Sequence, residues 1–165
     1  MRASGRDRCE DYADKFGVPF YKGEKPWGIK VDIAMPCATQ NEIGIKEAKQ
    51  IIANGTKYYI EVANMPTTEE ALNFLIDRKD VIVAPSKAVN AGGVCVSGLE
   101  MSQNSQRLSW TAEEVDEKLH NAMINIHKHS VEAAEKYGLG YDLVAGANIA
   151  GFEKVAEAMM AQGIY

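Results

Sequence analysis

Three short apolar runs recur along the first half of the chain: Val31-Asp32-Ile33-Ala34-Met35, Tyr58-Tyr59-Ile60-Glu61-Val62 and Val81-Ile82-Val83-Ala84. Each pair is separated by a segment with helical periodicity, and this alternation constrains the fold more than any other feature. A strand that runs parallel to its predecessor needs a crossover of a dozen or more residues, usually a helix. Residues 42–53 supply one, with Ile43, Ile45, Ala48, Ile51 and Ile52 inward and Asn54-Gly55 as its C-cap. The segment opening at Pro66 supplies the next, with Ala71, Leu72, Leu75 and Ile76 as its buried face and Thr67 and Glu70 at capping-box spacing. The expected fold is α/β, with a parallel sheet and right-handed crossovers.

Upstream, residues 2–16 read as a helix ending at Gly17, with Tyr12, Ala13 and Phe16 apolar. Val18-Pro19-Phe20-Tyr21 fits a short edge strand, because proline excludes a central position. Downstream of Ser105 the pattern is purely helical. Thr111 and Glu114 form a second capping-box pair, and Val115, Leu119, Ala122, Met123, Ile126, Ala133 and Tyr137 mark one face of a long helix stopping at Gly138. A last helix runs from about Leu143 to Gln162, with Ile149, Phe152, Val155, Ala156 and Met159 apolar.

The function classes narrow by exclusion. A net charge of −5 over 165 residues and the lack of any basic block argue against nucleic acid as a partner. No window has the length of a membrane span. Cys9, Cys37 and Cys95 are widely spaced and form no CxxC pair, which fits a reducing cytoplasm. His120, His127 and His129 share a helix without HExxH spacing, so no metal site is expected.

The segment Asn90-Ala91-Gly92-Gly93-Val94-Cys95-Val96-Ser97-Gly98 stands out as a helix of small residues. Asn90, Val94, Ser97 and Met101 fall on one face. Each glycine costs a helix about 1 kcal/mol relative to alanine, so the backbone is expected to be approached closely. Tight helix-on-sheet packing is one reading; a ligand contacting Asn90 and Ser97 is the other. In open parallel sheets, ligands bind beyond the carboxyl ends of the strands. Cys37-Ala38-Thr39, Asn64 and Pro85 to Asn90 fall there, although Asn64 also suits a plain turn before Met65-Pro66. Cys37 has no evident base to activate it, and Lys87 reads as a surface lysine at a helix start.

A family resemblance rests on these same stretches. Met35-Pro36-Cys37-Ala38-Thr39-Gln40-Asn41, Glu61-Val62-Ala63-Asn64-Met65-Pro66, Ala84 to Val94, Ser97 to Asn104 and Gly146 to Phe152 resemble the C-terminal part of hexameric glutamate dehydrogenase, of the Glu/Leu/Phe/Val dehydrogenase family. The resemblance implies a partial Rossmann-like sheet: residues 1–105 as the C-terminal half of a dinucleotide-binding domain, and 106–165 as helices returning to a substrate domain. It implies NAD or NADP as cofactor, L-glutamate and 2-oxoglutarate as substrates, ammonia as co-product, and a homohexamer. By the same resemblance Asn64 serves the nicotinamide ribose, Cys37, Ala38 and Thr39 lie beside the adenosine side, Asn90 lies near the nicotinamide amide, and Val94 and Ser97 shape and bind the substrate side chain.

The family's glycine fingerprint, catalytic lysine and catalytic aspartate would all precede Met1. Gly138-Leu139-Gly140 lacks a third glycine, and Gly146 to Gly151 lies inside a helix. The chain is therefore expected to hold no catalytic residue, to begin at an internal methionine and to be inactive alone. The helices from Thr111 to Gln162 are expected to leave an apolar face uncovered or to seat it on another chain. A non-catalytic, self-associating fragment is one alternative reading. Part of a leucine, valine or phenylalanine dehydrogenase is another; Ser97 favours glutamate, since those relatives carry an apolar residue there.

Overall fold

The computed structural model describes residues 8–163. Its sheet has three parallel strands in the order β1-β2-β3: β1 Ile33–Ala34, β2 Tyr58–Ile60 and β3 Ile82–Ala84. Ile33 pairs with Tyr58, and Tyr58 with Ile82. The strands are shorter than the apolar runs that encode them. At the start of the ladder the Asp32 carbonyl accepts from both Lys57 N (2.9 Å) and Tyr58 N (3.1 Å). At the other end Pro36 has no N–H to continue the ladder, and its carbonyl instead takes Val62 N (3.2 Å) and Ala63 N (3.0 Å).

Seven α-helices lie among the described residues: α1 Cys9–Phe16, α2 Ile45–Ala53, α3 Glu69–Ile76, α4 Ser86–Val89, α5 Ala91–Gln106, α6 Ala112–Lys136 and α7 Leu143–Gln162. Helices α2 and α3 are the two crossovers. They bury Ala48, Ile51, Ala71 and Leu75 against Ala34, Tyr59, Val81 and Val83 of the sheet layer, with Ile43 in the same cluster. Asn54 caps α2 and Gly55 follows in the left-handed region at φ 77°, which a glycine enters without penalty.

Three local expectations are corrected. Thr67 does not cap α3; Thr68 stands at that position and caps with no side chain. Thr67 is buried instead, its hydroxyl 2.7 Å from the Tyr59 hydroxyl, because a fully buried phenol needs a partner. Burial also pushes the Tyr59 phenol well above its ordinary range. Val18 to Tyr21 form no strand: the sheet offers them no neighbour, and Val18 N bonds back to Ala13 O (3.2 Å) at the end of α1. The first helix starts at Cys9, with Arg8 extended, and residues 2–7 of its expected span lie outside the described residues.

The helical second half forms as its caps dictate. Thr111 and Glu114 exchange both capping-box bonds, Glu114 N to Thr111 Oγ1 (3.2 Å) and Thr111 N to Glu114 Oε2 (2.7 Å). Asp142 Oδ1 accepts from Val144 N and Ala145 N to start α7. Helices α6 and α7 cross at Gly146, where a Cβ would stand 1.9 Å from the Ser130 carbonyl oxygen. The start of α7 reaches the sheet's core through Val144, whereas Phe152, Val155, Met159 and Met160 further along it are exposed.

Candidate functional site

The loops leaving β1 and β2 are bonded to one another at the carboxyl end of the sheet. Besides the Pro36 carbonyl contacts, Asn41 N donates to Met65 O (2.9 Å) and Ile43 N to Pro66 O (2.9 Å). Asn41 and Met65 both have positive φ, 55° and 48°. Methionine seldom adopts that conformation, and such strain concentrates where a loop's shape matters more than its ease.

On this platform the structure joins Asn64 to Asn90. The Asn90 side-chain amide donates to Asn64 Oδ1 (2.6 Å) and to Val62 O (3.2 Å). Asn90 occupies the break between α4 and α5 at φ −90°, ψ 5°, and its side chain caps neither helix because it is committed to the β2 loop. Cys37, Ala38 and Thr39 are all exposed in the β1 loop. Cys37 Sγ donates to Met35 O (3.2 Å), and the Glu42 carboxylate accepts from Ala38 N (3.2 Å). Val94 and Ser97 stand one and two turns into α5, both exposed, and join no hydrogen bond with the asparagines. The Ser97 hydroxyl donates to Gly93 O (3.2 Å), the usual resting bond of a mid-helix serine.

The glycines of α5 divide the two readings of that helix. A Cβ on Gly92 would meet Leu119 Cδ1 at 3.3 Å and Met123 Sδ at 3.4 Å, so packing explains Gly92, with α6 rather than the sheet as the partner. Gly93 and Gly98 meet nothing within 4 Å, and Val94 is 72% exposed. This face of α5 is open.

Two further residues, neither among the expected site residues, carry contacts beside these elements. Glu61 is buried at the end of the β2 run, and its Oε2 accepts from Ser86 N (3.2 Å). Its signal was an acidic residue closing an apolar strand. Lys87 donates to Asn148 Oδ1 and so ties α4 to α7. It also lines an open groove of about 600 Å³ between α6 and α7, with His129, Lys136 and Glu153 among its walls and neither Asn64 nor Asn90 in its lining. Among the described residues no group of three His, Cys, Asp or Glu stands ready for a metal ion, and no helix is long and apolar enough to cross a membrane.

A parallel α/β sheet with polar, backbone-linked loops at its carboxyl end defines an architectural class whose ligands bind beyond the carboxyl ends of the strands. Within that class the sequence matches the Glutamate/Leucine/Phenylalanine/Valine dehydrogenase family over residues 1–163, and the chain belongs to that family. It is 72% identical over 164 residues to the NAD-specific glutamate dehydrogenase of Clostridium symbiosum, covering 99% of this chain and 36% of the relative. It is 53% identical over 170 residues to the NADP-specific glutamate dehydrogenase of Haemophilus influenzae, covering 100% of this chain and 37% of that protein. Among solved structures, Plasmodium falciparum glutamate dehydrogenase superposes with a TM-score of 0.91 at 47% identity, covering 98% of this chain and 35% of that one. The chain thus spans little more than a third of the length of the curated relatives it matches.

Proposed function

We propose that this chain is part of an NAD- or NADP-dependent glutamate dehydrogenase, the enzyme that interconverts L-glutamate with 2-oxoglutarate and ammonia. Residues 1–105 form the C-terminal half of its cofactor-binding domain, and residues 106–165 the helices that return to the substrate domain. The observation that carries the reading is the Asn90–Asn64 amide contact at the carboxyl end of the sheet. It sets two hydrogen-bonding amides side by side, one of them exposed, which supports a reading in which they meet a ribose and a carboxamide. The exposed residues Cys37, Ala38 and Thr39 are the second arm that would hold the cofactor. When bound, the cofactor carries the hydride; the protein's part here is to orient it.

Val94 and Ser97 face the substrate side. A serine hydroxyl that leaves Gly93 O can donate to a side-chain carboxylate, and bonds to a charged group contribute about 1.5–3 kcal/mol. That favours glutamate over leucine, valine or phenylalanine. The working enzyme is a cytoplasmic homo-oligomer, a homohexamer by family likeness, and the 165-residue chain alone is inactive.

The test transplants this chain into the clostridial relative in place of its matching segment. Glutamate-dependent NAD reduction is expected, and its absence would overturn the reading. In that protein Ser97→Val should lower kcat/KM for glutamate roughly tenfold or more, since about 1.4 kcal/mol is tenfold. Cofactor affinity should hold. Unchanged glutamate kinetics, or an equal loss of NADH binding, would remove Ser97 from the substrate site.

A further inference from the structure

Glu61 is a carboxylate only 3% exposed, at the point where β2 gives way to the loop bearing Asn64. A buried carboxylate persists only where donors meet it. Its donor is Ser86 N, the first amide of α4, at 3.2 Å. The neighbouring backbone closes the frame: Glu61 N donates to Ala84 O (3.0 Å), and Val62 O takes the Asn90 amide at the far end of α4 (3.2 Å). Residues 61 and 62 therefore grip α4 at both ends. Helix α4 has four residues, with Val89 N on Pro85 O and Asn90 N on Ser86 O, far too short to hold its own shape.

We propose that Glu61 is a positioning residue of the cofactor site: through α4 it sets the Asn90 amide against Asn64, and it touches no ligand itself. The proposal rests on the dehydrogenase reading above. A displacement of about 1 Å in a positioned group can cost on the order of a hundredfold in rate, so the 2.6 Å amide contact depends on how α4 is seated.

The test uses the same transplanted clostridial enzyme. Glu61→Gln keeps an acceptor oxygen for Ser86 N, and Glu61→Ala removes it. The Ala variant should raise KM for NAD about tenfold or more, while the Gln variant stays within about threefold of the unmodified protein. Ser86→Pro deletes the donor from the other side; proline suits a first helical position, and Pro85 at ψ 146° already has the extended conformation that precedes one. It should reproduce the rise in KM even if the Ala variant fails to fold. Hydrogen exchange across residues 86–90 should quicken in the Ala variant and not in the Gln variant. A Glu61→Ala enzyme that melts lower but keeps its KM for NAD, or unchanged exchange over residues 86–90, would overturn the proposal alone. An unmodified transplant without activity would overturn the functional reading and this role with it.

Discussion

Tyr59 and Phe152 are both large aromatic residues, yet Tyr59 is fully buried and Phe152 is 68% exposed. The contrast holds for the regions around them. The sheet with α2 and α3 closes a core from its own residues: Ile43, Ala48, Tyr59, Ala71 and Leu75 are all sealed. Helices α5 and α7 carry as much apolar character but turn Val94, Met101, Val155, Met159 and Met160 outward. Periodicity marks which residues of an element are apolar, and only a neighbour decides whether they are buried. The first region contains its neighbours within the chain, whereas the second has an uncovered face of the kind that seats further protein. That agrees with a chain spanning about a third of its relatives.

The contrast breaks most directly under paired truncations. Leu75→Ala removes a fully buried side chain from the closed core and should cost about 2–5 kcal/mol. Phe152→Ala should change stability by no more than about 0.5 kcal/mol, as surface substitutions do. Urea unfolding of the 165-residue chain measures both. A Phe152→Ala loss comparable to that of Leu75→Ala would mean that another copy of the chain covers α7 in solution.

The helical half is nonetheless fixed at one point. A Cβ at Gly146 would meet the Ser130 carbonyl oxygen at 1.9 Å and its carbon at 2.8 Å, both rigid backbone atoms. Gly146→Ala must push α6 and α7 apart, which overpacking data place at about 1–3 kcal/mol. Gly151→Ala, on the same helix with nothing within 4 Å, should be neutral or slightly stabilising because alanine favours helix. Thermal melting of the two variants separates a true crossing point from general glycine sensitivity.

These cases mark what was legible in the sequence. The strands, crossovers and capped helices could be read because each is set by local pattern, as at Thr111 and Glu114. Thr67 was misassigned because capping-box spacing is also local, while its actual partner, Tyr59, is a tertiary neighbour. Val18 to Tyr21 misled for the same reason: a strand needs a ladder partner that its own residues do not specify. The β1 loop, Asn64 and Asn90 could be placed at one end of the sheet by topology alone, but the bond between the asparagines could not. Glu61 escaped because a single acidic residue closing an apolar run has no periodic signal.

The smallest effect lies in the closed half and depends on charge. The Glu47 carboxylate accepts from Gly44 N (3.0 Å) at the start of α2 and from Lys25 Nζ (3.0 Å), with the ammonium also on Glu42 O (2.7 Å). Only half of a capping box forms, since Gly44 has no side chain to return the bond. The Lys25 hydrogen bond first, then the amide donors, hold the Glu47 carboxyl below its usual value of 4.5. A depressed folded value means that protons bind the unfolded chain more readily. The contribution to stability is therefore complete above about pH 4.5 and lost as pH falls through the lower, folded value. Glu47→Gln should cost roughly 0.5–1 kcal/mol at neutral pH, the range of a cap and a partly exposed ion pair. That difference should shrink towards zero in acid. Urea midpoints of both proteins across the acid range decide the matter: a gap that stays constant with pH would assign the cost to lost packing rather than to the Lys25–Glu47 charge pair.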